Sequence, residues 1–282
     1  MARRKRLPSA IADLPSEVTS PINAAIAARD TKTLDMVAEA IERNNTTLAY
    51  QPVLQMRPPH GTAFYEGLIR VLDPVGRTIP ARDFIHVAEP TELGREIDCL
   101  SLSAGLKTLA KVPDIRVSLN MSARSIGYRR WTSVLDRALK RNPTISERLI
   151  LEITETSAIS VPELVSDFMS DMQTRGIAFA LDEFGGGLSN LQQLRDSCFD
   201  MVKIHGRFIR GIHANPDNQV LTAALVDVAR HLDMFTVAVS VEDEQDALWL
   251  SRIGVDCVQG NLYGAPTVKP AWTNERGARK RA

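Results

Sequence analysis

Polar and apolar residues alternate along the chain in two rhythms. Leu34, Val37, Ala38 and Ile41 recur at i, i+3, i+4 and i+7 and predict a helix over Thr31–Arg43. A shorter helix, Ile22–Arg29, is expected just before it. Beyond residue 46 short apolar runs predict strands at Thr47–Leu54, Phe64–Leu72, Ile115–Met121, Leu149–Thr154, Ile177–Asp182, Met201–Ile204, Phe235–Val241 and Asp256–Leu262. Helical patterns fall between most of them, at Phe84–Ala88, Glu92–Leu109, Trp131–Lys140, Pro162–Arg175, Leu188–Asp196, Gln219–Leu232 and Asp243–Ile253. Only Arg57-Pro58-Pro59-His60-Gly61 separates the first two strands, which suits a hairpin and not a crossover. Regular strand–helix alternation after that predicts an α/β fold, a TIM-like (β/α)8 barrel with one antiparallel strand. A doubly wound open sheet is the alternative.

Composition narrows the picture. A chain of 282 residues with 44% hydrophobic residues can bury one large core. Its 34 basic and 34 acidic residues balance, so no global field points to nucleic acid or membrane. Basic clusters lie only at the ends, Arg3-Arg4-Lys5-Arg6 and Arg276, Arg279, Lys280 and Arg281. The expected division is a flexible basic lead-in with a short helix over 1–30, a barrel over 31–270 and a basic tail over 271–282. Cys99, Cys198 and Cys257 match no metal-ligand spacing and read as buried free thiols of a reducing compartment. With no signal-peptide core and no bilayer-length apolar run, a cytoplasmic protein is expected.

The chemistry lies in polar residues on strands expected to be buried. Leu181-Asp182-Glu183-Phe184-Gly185-Gly186-Gly187 delivers two adjacent carboxylates into a glycine-rich turn. Adjacent anions are tolerated best beside a cation or a proton, although Asp and Gly also serve as ordinary turn residues. Gln51, Glu66, Arg70, Asn120, Glu152, Glu155, Asp182, Glu183, Lys203, Glu242 and Gln259 all fall on or just beyond strands. In a barrel such ends converge on one face. Glu66, Glu152, Asp182 and Asn120 make a hard oxygen set suited to Mg²⁺ or Mn²⁺, and Lys203 and Arg70 supply cations for a phosphate.

Taken in order, Tyr50-Gln51-Pro52, Glu66-Gly67-Leu68-Ile69-Arg70, Ser118-Leu119-Asn120-Met121-Ser122, Leu151-Glu152-Ile153-Thr154-Glu155, Asp182-Glu183-Phe184-Gly185, Lys203-Ile204-His205 and Gln259-Gly260-Asn261-Leu262 resemble the EAL-type cyclic-di-GMP phosphodiesterase domain. The resemblance implies a barrel with one reversed strand and two divalent cations that activate water against a phosphodiester of cyclic di-GMP, giving pGpG. It implies metal ligation by Glu66, Asn120, Glu152 and Asp182 and a catalytic role for Lys203. Gln51 and Arg70 match substrate contacts, Glu155 matches the carboxylate that holds the loop after the fifth strand, and Glu242 and Gln259 match further site residues. Glu183 and Glu242 are catalytic candidates, and Gln259 is a substrate-binding candidate.

The departures fall on the chemistry. Glu183 stands at the second of two aspartates, and a 1 Å misplacement can cost on the order of 10²-fold. His205 replaces an aspartate and brings no negative charge as neutral imidazole. Ala238-Val239-Ser240-Val241-Glu242 stands where the family has Ala-Glu-Gly-Val-Glu, so the catalytic glutamate is Val239. Loss of a general base costs roughly 10²–10⁴-fold. Gly186-Gly187-Leu188-Ser189-Asn190 also departs from the family's loop, and its extra glycine is expected to make that loop harder to order. These changes predict a catalytically impaired domain that binds cyclic di-GMP or a protein partner, with a homodimer as a further possibility. An active phosphodiesterase compensated by Glu183, His205 or Glu242 is the alternative. The first 30 residues are too short for a sensory or cyclase domain, so regulation is expected from partners or the nucleotide.

Overall fold

The computed structural model describes residues 21–73, 75–187, 194–195 and 198–273. Strands β1 (Thr46–Gln55), β2 (Thr62–Leu72), β4 (Val117–Asn120), β5 (Leu149–Thr154), β6 (Ala178–Phe184), β7 (Met201–Ile204), β8 (Phe235–Ala238) and β9 (Cys257–Val258) close into a barrel, and β3 (Thr78–Pro80) is added beside β2. The expected reversed strand is β1, which runs antiparallel to both β2 and β9, while the remaining barrel neighbours are parallel. The cause is local. Residues 56–61 cannot hold the dozen or more residues of a parallel crossover, so the chain folds back as a hairpin.

Several expected boundaries move. A single helix, Pro21–Glu42, replaces the two expected ones. Arg29, Asp30 and Lys32, which break the apolar pattern, sit at solvent-accessible positions, and Arg29 pairs with Asp30 along the surface, so helix propagation is not interrupted. The helix buries Val37 and Ala40 against the barrel. β3 and the helix Glu155–Ser160 were not expected. β8 and β9 are shorter than their apolar runs, but pairing continues in irregular form, with Gln259 N donating to Ala238 O and Val241 N to Gln259 O. The close approach excludes any side chain at Gly260, where a Cβ would overlap the Val241 backbone. The expected helix Leu188–Asp196 lies outside the described residues except at 194–195, as do both basic tails and Ser189 and Asn190.

Two cores support the site. The larger lies between the barrel and its helices; the smaller gathers Val53, Phe64, Ile150, Ala180, Met201, Val237 and Cys257 from seven barrel strands. Strand side chains alternate in direction, so the residues two places along from these, Gln51, Glu66, Glu152, Asp182, Lys203, Val239 and Gln259, form the next layer toward the cleft. The apolar layer is the floor on which the polar layer stands. Cys99 and Cys257 are buried free thiols as expected, but Cys198 is exposed, because it lies in the loop before β7 and not on a packed element. No helix among the described residues is long and apolar enough to cross a membrane.

Candidate active site in the barrel cleft

The centre of the polar layer is Lys203 on β7, only 2% exposed. Its ammonium donates to Glu152 Oε2 at 2.6 Å and Glu66 Oε2 at 2.9 Å, and lies 3.9 Å from Asp182 Oδ1. Burial pulls this ammonium's pKa down, but Asp182, Glu152 and Glu66 outweigh it and hold the value well above the ordinary lysine range. The carboxylates divide. Burial opposes ionisation of Glu66, yet Lys203 and donors from Gln259 and Asn120 leave its pKa below the usual value. Glu152 is pushed up to about 8, first by burial and then by the Glu66 charge, against the pull of Lys203.

Amides complete the layer. Asn120 Nδ2 donates to Glu66 Oε1 at 2.9 Å. Gln259 Nε2 donates to Glu66 Oε2 at 2.5 Å and to Gln51 Oε1 at 3.1 Å, and Gln51 Nε2 donates to Gly264 O at 3.0 Å. Two buried acceptors, Glu152 Oε1 and Gln259 Oε1, have no hydrogen-bond partner. In a layer this buried an unpaired acceptor is costly, so both atoms mark where a donor or cation would be favoured.

Above the layer opens a cleft of about 460 Å³, the size of an ordinary small-molecule site. Gln51, Glu66, Asp182, Lys203 and Gln259 reach its floor; Arg70, Glu183, His205 and Glu242 line its walls. Asn120 and Glu152 support the floor from the side, and Glu155 stands apart. Sequence placed Glu155 at a strand end, whereas it opens the helix Glu155–Ser160 and its Oε2 accepts from Gly187 N at 3.3 Å.

The chain around Asp182 and Glu183 bulges. Register between β6 and β7 shifts after Leu181, Glu183 adopts φ 59°, and its N–H donates to Asp182 Oδ1 at 2.9 Å. The bulge leaves Glu183 exposed while Asp182 stays partly covered beside Lys203. Gly186 follows from packing: a Cβ there would meet Glu183 O at 2.7 Å and the His205 ring at 2.8 Å. The glycine expected only to loosen this loop is thus also required by the close approach.

Sequence reasoning missed Arg82 and Arg210, which also line the cleft. Both lie in connecting segments where no periodicity singles out one residue. It also missed Asp98, a buried carboxyl on the helix Glu92–Lys111 that accepts from Ser122 N at 3.1 Å and Ser125 Oγ at 2.6 Å, and so fixes the turn that follows Asn120.

The EAL domain family model matches residues 34–266, most of the chain, and takes in all nine described strands. The chain belongs to the EAL domain family. This EAL domain is 30% identical over 239 residues to "Cyclic di-GMP phosphodiesterase PdeB" of Shewanella oneidensis, spanning 82% of the chain and 27% of that protein. It is 29% identical over 237 residues to "Cyclic di-GMP phosphodiesterase PdeF" of Escherichia coli, spanning 83% of the chain and 31% of that protein. The chain therefore spans about a third or less of the length of these curated relatives. Among solved structures, "PaMucR Phosphodiesterase, c-di-GMP complex" superposes with a TM-score of 0.77 at 27% identity, covering 86% of this chain and 99% of that one.

The donors of this EAL domain suit a hard divalent ion in kind, although they are not gathered around one. Glu66, Glu152, Asp182 and Asn120 offer oxygen donors, the three carboxylates outnumber the single ammonium, and Glu152 Oε1 is an acceptor without a donor. As they stand, the carboxylates turn toward the ammonium, and no three Asp, Glu, His or Cys groups among the described residues converge to hold a metal. On the wall after β7 and β8, His205 and Val239 bring no carboxylate, and Glu242 does.

Proposed function

We propose that this EAL domain binds cyclic di-GMP in the barrel cleft and hydrolyses it poorly or not at all, passing the bound state to a protein partner or a second copy. The observation that carries the reading is Val239. It follows β8 and lines the cleft, packed against the small apolar core, and can neither bind a metal nor take a proton. Gln51 and Gln259 on the floor and Arg70 on the wall supply the polar contacts for the nucleotide. Glu66, Asn120, Glu152 and Asp182 would hold one Mg²⁺ or Mn²⁺, which when bound would stabilise charge on a phosphate oxygen.

Lys203 keeps the carboxylates folded together and presents positive charge to the cleft floor. Glu155 holds the start of the loop after β6 through Gly187 N. Val239 supplies no general base at its position, and a loss of this kind is worth roughly 10²–10⁴-fold in rate. The second reading, an active phosphodiesterase, has one favouring observation: Glu183 and Glu242 both line the same cleft. Chromatography of cyclic di-GMP incubated with Mg²⁺ or Mn²⁺ separates the two. Trace or no pGpG is expected; turnover at the roughly 1–10³ per second of ordinary enzymes establishes the second reading.

A further inference from the structure

The wall of the cleft after β7 and β8 has a coherent construction of its own. His205 Nδ1 accepts a hydrogen bond from Arg207 N at 3.0 Å. A ring nitrogen that accepts carries no proton, so the neutral imidazole holds its proton on Nε2. His205 is thereby committed as a donor toward the cleft it lines. Binding a metal through Nδ1 would break the Arg207 contact. Binding through Nε2 would send the proton to Nδ1 and break the same contact.

Arg210 lines the same cleft and is tethered at its wall. Its guanidinium donates to Ser240 Oγ at 3.3 Å, and its Nε lies 4.0 Å from Glu242 Oε1. Ser240 adopts φ 62°, a conformation that disfavours side chains. Its hydroxyl fits only because residue 206 is glycine: a Cβ there would come within 2.5 Å of Ser240 Oγ. Gly206, Ser240 and Arg210 therefore form one set, which holds a guanidinium on the cleft that the donor imidazole of His205 also lines. The acidic groups that face it are Glu242, already beside Arg210, and the exposed Glu183 and partly covered Asp182 across the cleft.

We propose that this wall binds a phosphodiester oxygen directly, through His205 Nε2–H and the Arg210 guanidinium, in the place where a second cation would otherwise bridge protein and phosphate. The inference rests on the reading that the cleft takes a cyclic dinucleotide. Carboxylates at positions 205 and 239 would repel a phosphodiester unless a cation stood between them. His205, Val239 and Arg210 remove that repulsion and supply donors, so binding to this wall needs no metal.

Two measurements test it. Long-range ¹H–¹⁵N spectra of the wild-type protein report the His205 tautomer without any ligand; a proton on Nε2 is expected, and one on Nδ1 overturns the proposal. Calorimetric titration with cyclic di-GMP in EDTA then compares variants whose folding is checked by thermal melting. His205→Ala and Arg210→Ala should each weaken binding by about 10-fold or more, the value of a hydrogen bond to a charged group. His205→Gln should retain more affinity than His205→Ala, and His205→Asp should bind most weakly. Unchanged affinity in both alanine variants overturns the inference while leaving the proposed function standing. A wild-type protein that takes no cyclic di-GMP, with or without Mg²⁺, overturns both.

Discussion

Replacing Glu152 with glutamine isolates the electrostatics of the cleft floor. Glu152 is 1% exposed, and its pKa is raised from an ordinary 4.5 to about 8. Because the folded value lies above the unfolded one, the stabilising contribution is fully present below about pH 4.5 and is lost as pH rises through about 8. At about 1.4 kcal/mol per unit, the window corresponds to a loss on the order of 5 kcal/mol, a large fraction of a domain's total stability. Asp98, raised to about 7 mainly by burial, slopes the same way, but both proteins share it and it cancels in the difference. Glutamine keeps an acceptor for Lys203 and never ionises. Urea unfolding in EDTA from pH 5 to 9 is therefore expected to show near-equal stability at pH 5 and an advantage for Glu152→Gln that grows to a few kcal/mol at pH 9. Parallel pH profiles for the two proteins would refute the reasoning, because they would mean that Glu152 titrates alike folded and unfolded.

The remaining expectations concern packing and binding. Ser240→Gly should stabilise the fold by about 1 kcal/mol through relief of the left-handed serine, read as a higher urea midpoint with an unchanged slope. Gly206→Ala alone should cost about 1–3 kcal/mol by overpacking against Ser240, and most of that cost should vanish in the Ser240→Gly background, a coupling that a double-mutant cycle measures. Gly260→Ala should be poorly folded in any background, since its Cβ meets the Val241 backbone and not a movable side chain; a cooperative melt near that of the wild type would contradict this. Arg70→Ala should weaken cyclic di-GMP binding at least about 10-fold with little change in melting temperature, because its side chain lines the cleft and its hydrogen bond to the neighbouring Ile69 O is local.

How much of this was legible in the sequence follows from which residues report their surroundings. Buried strands announce themselves as apolar runs, so the barrel strands were found. The short turn at residues 56–61 also revealed that one strand must reverse. A charged residue inside such a run is conspicuous, which is why Glu66, Glu152 and Lys203 could be singled out. Their mutual arrangement was not readable: the sequence offered Lys203 as a cation for phosphate, and the structure turns it inward onto the carboxylates. β3 has three residues, too few for any periodicity. Arg210 and Ser240 lie on connecting segments, where an arginine or a serine is unremarkable until a glycine opposite and a positive φ bring them together. The limits of β8 and β9 were missed because apolar runs continue past the regular ladder.

The central claim is that the cleft retains its ligand while the chemistry on the β8 wall has been lost. Titration calorimetry with cyclic di-GMP, first in EDTA and then in Mg²⁺, followed by chromatography of the same sample, tests both halves at once. Saturable heat in EDTA, with cyclic di-GMP recovered intact from both samples, is the predicted result. Absence of heat under both conditions, or recovery of pGpG at enzymatic rates, would contradict the account.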